Sequence, residues 1–201
     1  MNKCILELSE LKLGFIQDSN YLEVVRGINF NIDEGEIVGI LGESGSGKSV
    51  SVKSIFGIYE EEIVVNSGEI MFNGLFLNSM KDKELTKIRF KEIAYIPQNP
   101  SDALNPYQTI FRQFSELGRI HKVEMTKEMI TKALMDVGIQ NPETIMKMYS
   151  HQLSGGLAQR VVFAMSIILD PPLIIADEPT SSIDASLKKI VLELLKKINK
   201  E

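Results

Sequence analysis

Cysteine and long apolar segments are both scarce in this chain. The single cysteine, Cys4, cannot form an internal disulfide or a multi-cysteine metal site, which agrees with a reducing compartment. The longest apolar run, residues 161–169 with Ser166 inside it, is far shorter than the ~20 residues that cross a bilayer. The N-terminus also lacks the basic start and apolar core of a signal peptide. We therefore expect no membrane span and no secretion signal.

An excess of basic residues is missing as well. Lys and Arg number 22 and Asp and Glu number 27, which gives a net charge of −5 and a pI near 5.2. A chain without a basic surface is a poor nucleic-acid binder, so nucleic acid is not expected as a partner. The 201 residues, 44% of them hydrophobic, suffice for one globular domain with a substantial core.

A glycine-rich loop is the most informative feature that is present. Residues 42–49, GESGSGKS, fit the pattern G-x-x-x-x-G-K-[S/T], and the apolar run at residues 36–41 before them predicts a buried strand. Glycines let successive N–H groups turn towards phosphate oxygens, and a helix starting near Lys48 directs its positive end to the same place. The pattern therefore predicts a phosphate-binding loop.

The side chains of this loop indicate which phosphates it binds. Lys48 would reach the β- and γ-phosphates as a point charge, and the Ser49 hydroxyl would bind Mg²⁺, a hard ion that takes oxygen ligands. An ordinary Gly/Ser turn is the alternative, but the pattern arises by chance in only roughly one chain in a hundred of this length. The loop consists of Gly42, Glu43, Ser44, Gly45, Ser46, Gly47, Lys48 and Ser49.

Antiparallel strands are expected on the N-terminal side of the loop. The apolar runs at residues 5–13 and 24–32 alternate loosely, with a polar break between them and a turn after the second. Phe15 and Tyr21 lie about 20 to 30 residues before the loop, where an aromatic ring could stack on a nucleotide base. An aromatic residue in a strand is more often part of the core, and position alone does not decide between the two roles.

Strands and helices alternate after the loop. The dipeptide Asn73-Gly74 predicts a tight turn, residues 81–91 a surface helix and residues 93–96 a short strand that runs into a loop. Gln98 lies on that loop, at the end of a strand where α/β sheets place ligand contacts. From residue 105 to 149 the apolar positions follow a helical period, so helices are expected there.

Two further motifs follow the helical segment. The sequence LSGG at residues 153–156 precedes an apolar helix, and glycines at a helix N-terminus form a second anion site. Residues 172–176 predict a buried strand that ends in Asp177 and Glu178. Asp177 would be the second Mg²⁺ ligand, and Glu178 would orient and deprotonate an attacking water. A solvated strand end is the alternative for an acidic pair alone, but the phosphate loop favours the catalytic interpretation.

These motifs, in this order, resemble those of the ATP-binding subunit of ABC transporters. The resemblance rests on GESGSGKS, the loop glutamine Gln98, LSGG and IIADEPT, and it covers nearly the whole chain. Two longer segments, QNPSDALNP at residues 98–106 and SHQLSGGLAQR at residues 150–160, resemble the dipeptide, oligopeptide and nickel importer branch.

The resemblance implies a fold and an assembly. The fold is an α/β P-loop NTPase (RecA-like) core with an N-terminal antiparallel β subdomain and an inserted α-helical subdomain at about residues 99–155, within one ATP-binding domain over residues 1–201. Two such domains, as a homo- or heterodimer, would hold ATP head to tail between the phosphate loop of one and the LSGG of the other. The dimer would be peripheral, at the cytoplasmic face of the cell membrane. It would power import of peptides or a nickel complex through permease subunits, with an extracytoplasmic solute-binding protein as an indirect partner.

Residue roles also follow from the resemblance. The residues implied in ATP binding are Phe15 as the adenine-stacking aromatic, the loop residues 42–49, Val50 and Asp184. Those that would contact the ATP of the partner are Ser154, Gly155 and Gly156. The Mg²⁺ ligands would be Ser49, Gln98 and Asp177, and the catalytic residues Lys48, Gln98 and Glu178. Gln98 would sense the γ-phosphate and link the site to the membrane subunit, and Glu178 would be the general base.

Two departures from the family pattern stand out. SSID at residues 181–184 replaces the usual SALD; it retains Asp184, for which a helix N-cap is the alternative role. The family also carries a switch histidine some tens of residues after that aspartate, whereas His121 and His151 both precede it.

The C-terminal end of the sequence leads to another expectation. In the family, the strand after the Asp177 strand lies between it and the phosphate-loop strand, and it ends at the switch histidine. This sequence stops one helix too early for that strand. Without that strand, its two neighbours would be left with buried N–H and C=O groups that have no hydrogen-bond partner. Each such group costs about 1 to 3 kcal/mol. We therefore expect a C-terminally incomplete domain, a fragment or one part of a split subunit, that folds marginally and hydrolyses ATP poorly alone.

Two other functions compete with that of an active transport ATPase. The missing histidine favours a hydrolytically weak nucleotide-binding module paired with a competent ABC subunit, whereas Glu178 favours an active enzyme. An ABC protein of DNA repair or translation is disfavoured by the acidic charge and by the Leu-Asn-Pro segment.

Overall fold

Long antiparallel strands build the first part of the chain. The computed structural model describes residues 3–17, 20–58 and 63–178, and the chain divides after Thr86 into two units. The first unit holds the strands β1 (Cys4–Gln17), β2 (Asn20–Asp33), β3 (Ile63–Phe72) and β4 (Leu75–Phe76). They form one sheet in the order β2-β1-β3-β4, and all neighbours are antiparallel. The predicted antiparallel pair before the phosphate loop is thus confirmed.

A bulge in β1 keeps its leucines on one face of the sheet. Leu8 and Leu11 are three positions apart, so in a regular strand they would point to opposite faces of the sheet, whereas Leu11 and Leu13 would share a face. The ladder shifts register between Leu8 and Leu11, where Glu10 has a φ of 48°, and the extra residue restores the phase. All three leucines are consequently buried. Gly68 on β3 makes room for the bulge, since a Cβ at that position would collide with the backbone carbonyl of Glu10.

The turn predicted at Asn73-Gly74 joins β3 to β4. The two residues have φ values of 47° and 80°, and a two-residue type I′ hairpin turn requires positive φ at both positions. Helix α1 (Lys48–Ile55) belongs to the same unit, and helix α2 (Asp82–Ile88) begins in the first unit and ends in the second. Both lie within segments that the sequence predicts to be helical.

The strand predicted at residues 36–41 is not formed. The segment has no ladder partner among the described residues, and its apolar side chains are exposed, Ile37 by 65% and Leu41 by 95%. A strand is stable only when a neighbour takes up its N–H and C=O groups and covers its apolar face. The prediction is wrong because an apolar run identifies a segment that can enter a sheet, while a neighbouring strand decides whether it does.

A parallel pair of strands forms the sheet of the second unit. β5 (Ile93–Ile96) and β6 (Leu173–Ala176) run side by side, with Ile93 opposite Leu173 and Ile96 opposite Ala176. All four residues of β5 are buried, as is usual for parallel strands. Both strands are confirmed, and their carboxyl ends lie at the same edge of the sheet.

Helices occupy the chain between these two strands. They are α3 (Ile110–His121), α4 (Lys127–Asp136), α5 (Pro142–Lys147) and α6 (Gly155–Ile167). Within residues 105–149, all of which the structure describes, the only extended pairing is a single bridge between Thr109 and Tyr149. The predicted helices are therefore confirmed, whereas a separate subdomain at residues 99–155 stays a prediction.

Side-chain caps and a shared core fix these helices. Thr109 and Thr126 accept hydrogen bonds from backbone N–H groups in the first turns of α3 and α4, at 3.4 and 3.3 Å. The core includes the fully buried side chains of Ile96, Ile110, Phe114 and Phe163. Among the described residues, no helix has the length and apolarity needed to span a bilayer.

The side chain of Gln113 stabilises the loop between Gln98 and α3 through hydrogen bonds to its backbone. Its side chain is buried, and its Oε1 accepts a hydrogen bond from the N–H of Asn105 at 3.0 Å. Its Nε2 donates to the carbonyls of Asn105 and Gln108, at 3.0 and 3.1 Å. One buried amide thus holds the backbone of this loop at Asn105 and at Gln108.

Replacing Gln113 with alanine should destabilise this loop. The substitution removes the partners of several backbone groups, so we expect the free energy of unfolding to fall by about 1 to 3 kcal/mol. Urea unfolding measures the change, and Gln140→Ala, at an exposed glutamine, should change it by less than about 0.5 kcal/mol. Equal effects of the two substitutions would contradict the role of Gln113 in stabilising the loop.

Candidate functional site

The phosphate loop turns on glycines. Gly45 and Gly47 have φ values of 79° and 88°, in the left-handed region that favours glycine. Gly47 is the buried N-cap of α1, and a Cβ at this position would come within 2.9 Å of a methyl group of Val25. A Cβ on Gly42 would come within 2.8 Å of the Ser46 hydroxyl. Conformation therefore requires glycine at positions 45 and 47, and packing favours it at position 42.

The loop is open to solvent and leads directly into a helix. The exposed residues are Gly42, Glu43, Ser44, Gly45 and Ser46. Helix α1 begins at the next positions, and the N-terminus of a helix carries a partial positive charge and N–H groups that point along its axis. An exposed glycine loop at a helix N-terminus is an arrangement that binds phosphate. The geometry of the loop fits the predicted ligand.

Lys48 places its charge over this loop. Its Nζ donates hydrogen bonds to the carbonyls of Gly42 and Glu43, at 2.8 and 2.6 Å. The ammonium therefore lies at the start of the loop rather than extending from the helix into solvent. Ser49 and Val50 follow in the first turn of α1 and are half-buried. The Ser49 hydroxyl is the type of hard oxygen donor that Mg²⁺ takes from proteins alongside phosphate oxygens.

A second cluster of predicted residues lies at the carboxyl edge of the β5 and β6 pair. Asp177 directly follows β6, and its N–H donates to the carbonyl of Ile96 at 2.9 Å, which extends the ladder by one residue. Its side chain is buried, and its Oδ2 accepts a hydrogen bond from the hydroxyl of Tyr95 at 3.2 Å. A carboxylate fixed in this way at a strand end fits the coordination of Mg²⁺, which needs only one or two protein oxygens beside phosphate and water.

Gln98 and Glu178 meet at the same edge. The Nε2 of Gln98 donates to the Oε2 of Glu178 at 2.7 Å, although 80 residues separate them in the sequence. Both side chains are exposed at this edge, and the backbone of Glu178 has a φ of 44°. Positive φ is uncommon for a residue with a side chain and is found at functional sites more often than elsewhere. The structure thus brings together the predicted base and the predicted γ-phosphate sensor.

The LSGG motif forms the start of α6. Ser154 is the N-cap, and its hydroxyl accepts a hydrogen bond from the N–H of Leu157 at 3.3 Å. Gly155 and Gly156 are the first residues of the helix, and a Cβ on Gly155 would meet nothing within 4 Å. Packing therefore does not require glycine at position 155, which favours a role in contact with a ligand or a partner.

Two predicted binding residues are less well defined. Phe15 is half-buried in β1, where it pairs with Leu22 and Ile63. Tyr21 is 40% exposed, and its ring covers Gly14 of β1, so a Cβ on that glycine would come within 2.6 Å of the ring. Adenine stacking by Phe15 stays a prediction. Asp184 lies outside the described residues.

The two histidines have local roles in the structure. His151 is exposed, and its ring stacks on that of Tyr149 with centroids 5.6 Å apart. Burial, together with the nearby charge of Lys91, lowers the pKa of His121 below its usual value. The imidazole ring of His121 is half-buried, in agreement with this direction.

Tyr95 is a residue of this edge that sequence reasoning misses. The tetrapeptide IAYI of β5 is read as an apolar strand, and nothing local indicates what its phenol contacts. A buried tyrosine hydroxyl nevertheless needs a hydrogen-bond partner, which is a signal that the sequence does carry. The partner, Asp177, is 82 residues away along the chain and becomes visible only in the structure.

Comparisons with known proteins agree on a single family. Residues 25–181 match the family model described as ABC transporter. The chain is 37% identical over 201 residues to the oligopeptide transport ATP-binding protein OppD of Bacillus subtilis, with 98% of this chain and 56% of that protein covered. It is 40% identical over 181 residues to the metal-staphylopine import system ATP-binding protein CntD of Staphylococcus aureus, with 88% and 66% covered. The chain thus spans somewhat more than half the length of these relatives.

A solved structure has the same fold. The ATP-binding cassette MJ0796, as a dimer in a post-hydrolysis state bound to ADP and phosphate, superposes with a TM-score of 0.85. It is 29% identical in sequence, and the comparison covers 98% of this chain and 83% of that one. The α/β P-loop NTPase fold with an N-terminal antiparallel sheet, predicted from the motifs, is confirmed.

Proposed function

The chain belongs to the ABC transporter family, and we propose that it is an ATP-hydrolysing subunit that powers solute import. The observation that carries the proposal is the edge of the β5 and β6 pair, where the Nε2 of Gln98 donates to the Oε2 of Glu178 at 2.7 Å and the buried Asp177 directly precedes Glu178 in the chain. A base, a γ-phosphate sensor and a metal ligand are the side chains that phosphoryl transfer to water needs at such an edge. The phosphate loop has the groups that would bind the nucleotide phosphates.

Each side chain has a defined role in the proposed reaction. The backbone of the loop and the ammonium of Lys48 bind the β- and γ-phosphates. Ser49, Gln98 and Asp177 would hold Mg²⁺, and the bound ion would neutralise charge on the phosphates. The water oxygen attacks the γ-phosphorus, its proton passes to the Glu178 carboxylate, and the bond to the β–γ bridging oxygen breaks to release ADP.

The hydrogen bond between Gln98 and Glu178 supports this assignment of the base. A general base is effective only when its carboxylate is held in one orientation towards the water. Gln98 donates a hydrogen bond to the Oε2 of Glu178, and it is also the predicted γ-phosphate sensor. Contact of Gln98 with the γ-phosphate would therefore affect the orientation of the base. Gln98 is therefore proposed to orient the water and the base together.

A second ABC subunit completes the proposed site. Ser154, Gly155 and Gly156 would contact the ATP held by the phosphate loop of the other subunit, in a homo- or heterodimer. The exposed N-terminus of α6 and the open space around Gly155 support such a contact. The solved structure of MJ0796 is itself a dimer with ADP and phosphate bound. Two anion-binding surfaces that face one triphosphate associate only while the γ-phosphate is present.

The proposed cargo is a peptide or a metal complex. Relatives named for oligopeptide, dipeptide and metal-staphylopine transport are 37 to 40% identical to this chain. The proposed partners are permease subunits in the cell membrane and, indirectly, an extracytoplasmic solute-binding protein. This chain would then be peripheral at the cytoplasmic face.

Reconstitution tests both parts of the proposal. The chain should bind ATP in calorimetry with Mg²⁺ present. When the chain is assembled in liposomes with a second ABC subunit and permease subunits of a peptide importer, its phosphate release should rise when solute-loaded binding protein is added. No binding at millimolar ATP would contradict a nucleotide site, and hydrolysis that is indifferent to permease and solute would contradict a role in transport.

A further inference from the structure

A buried phenol lies in the middle of an otherwise apolar strand. Ile93, Ala94 and Ile96 complete β5, and all four residues are buried. Tyr95 is only 7% exposed, so its hydroxyl cannot rely on bulk water for a hydrogen bond. Phenylalanine would supply the same ring to the core. Packing therefore does not explain why this position has a tyrosine hydroxyl.

The register of the two strands explains how the hydroxyl reaches Asp177. Tyr95 lies opposite Ile175 in the parallel ladder. Asp177 follows Ile175 by two positions, and residues two apart point to the same face of a sheet. The phenol therefore extends along the sheet towards its carboxyl edge and donates to the Oδ2 of Asp177 at 3.2 Å.

β5 holds Asp177 at two points. The backbone N–H of Asp177 donates to the carbonyl of Ile96, and one of its side-chain oxygens accepts from Tyr95. The terminal torsion of an aspartate is broad, so a carboxylate without such a contact samples many orientations. The buried hydrogen bond from Tyr95 restricts this rotation.

We propose that Tyr95 is a positioning residue for the Mg²⁺ ligand Asp177. Its hydroxyl fixes one carboxylate oxygen and thereby presents the carboxylate to the cation in a single orientation. This inference rests on the proposed function, in which Asp177 binds Mg²⁺. Groups that orient a metal ligand typically contribute 10- to 100-fold to metal affinity. We therefore expect the hydroxyl of Tyr95 to improve metal affinity about 10-fold.

The substitution Tyr95→Phe isolates the hydroxyl, and Tyr107→Phe is its matched control. Tyr107 belongs to the same unit and is 88% exposed, so its loss of a hydroxyl leaves Asp177 unchanged. Asp177→Asn reports the effect of losing the ligand itself. All variants are made in the full 201-residue chain.

Metal binding is measured directly by electron paramagnetic resonance of Mn²⁺, with a non-hydrolysable ATP analogue present. Half-saturation should need about 10-fold more Mn²⁺ in Tyr95→Phe than in the wild type or Tyr107→Phe. Affinity for the analogue without metal should not change. A lower melting temperature with an unchanged Mn²⁺ dependence would overturn the inference, because that pattern marks a purely structural role.

Ultraviolet difference spectroscopy gives a second readout, and its wild-type measurement does not depend on the folding of a variant. The chain has no tryptophan, so its near-ultraviolet absorbance comes mainly from tyrosine. Addition of Mg²⁺ to the nucleotide-loaded wild type and to Tyr107→Phe should shift the tyrosine band, and Tyr95→Phe should lack the shift. A wild type without any shift would overturn the inference. Unchanged Mn²⁺ binding in Asp177→Asn would instead refute the metal site of the proposed function, and the role of Tyr95 with it.

Discussion

Replacing Lys48 with alanine is expected to abolish measurable ATP binding. The Nζ of Lys48 lies 2.8 Å from the carbonyl of Gly42 and 2.6 Å from that of Glu43, over the loop where the phosphates would bind. A charge-assisted hydrogen bond contributes about 1.5 to 3 kcal/mol, so two phosphate contacts account for about 3 to 6 kcal/mol. That corresponds to a loss of affinity of roughly 100- to 20,000-fold.

The same substitution should leave the fold nearly intact. The carbonyls that Lys48 contacts belong to exposed residues, and water can replace the ammonium there at little cost. The positive φ values of Gly45 and Gly47 set the path of the loop without any lysine. We expect the melting temperature to change by only a few degrees.

Calorimetric titration with ATP and Mg²⁺ measures the affinity, and Lys83→Ala is the matched control. Lys83 is an exposed lysine of α2 in the same unit, so its replacement removes the same charge away from the loop. Lys48→Arg adds a third comparison, because a planar guanidinium keeps the charge but not the compact shape of an ammonium. Affinity of Lys48→Ala close to that of Lys83→Ala would show that the loop does not bind phosphate through Lys48.

Local patterns predict the elements whose partners lie nearby in the sequence. The hairpin of β1 and β2 and the Asn73-Gly74 turn follow from apolar alternation and turn residues over short distances. The caps at Thr109 and Ser154 also depend only on the residues that follow them. Tertiary context was not needed for these features.

The segment at residues 36–41 shows the limit of such patterns. Its apolar residues predict a buried strand, yet Leu41 is 95% exposed and no ladder includes the segment among the described residues. β6 has a comparable apolar sequence and is a strand, because β5 pairs with it in register from Ile93 to Ile96. The difference between the two segments is the presence of a neighbour, which an apolar run does not encode.

In the candidate site, too, some features follow from local sequence and others require tertiary contacts. Motifs identify Lys48, Asp177 and Glu178 because their chemistry needs those residue types at fixed spacing. The hydrogen bonds from Gln98 to Glu178 and from Tyr95 to Asp177 join residues 80 and 82 positions apart. These hydrogen bonds depend on the parallel pairing of β5 with β6. Sequence motifs therefore predict the reacting side chains, but they do not predict the side chains that orient them.

Glu178→Gln is expected to retain ATP binding and to lose turnover. The amide has nearly the shape of the carboxylate, and its oxygen can still accept the hydrogen bond that Gln98 now donates at 2.7 Å. Orientation is therefore retained, while the ability to accept the proton of the attacking water is lost. General-base catalysis typically contributes 10²- to 10⁴-fold, so kcat should fall by at least about 100-fold.

Phosphate release at saturating ATP measures this loss, and calorimetry measures the retained affinity, which should stay within about threefold of the wild type. If the wild type hydrolyses ATP, the variant should also accumulate as an ATP-bound dimer in size-exclusion chromatography, because the γ-phosphate that holds the subunits together is no longer removed. Glu124→Gln, at an exposed glutamate outside the site, controls for the loss of one charge. Turnover of Glu178→Gln at the wild-type rate would exclude Glu178 as the base. Equal losses of binding and turnover would instead indicate that Glu178 contributes to nucleotide binding rather than to proton transfer.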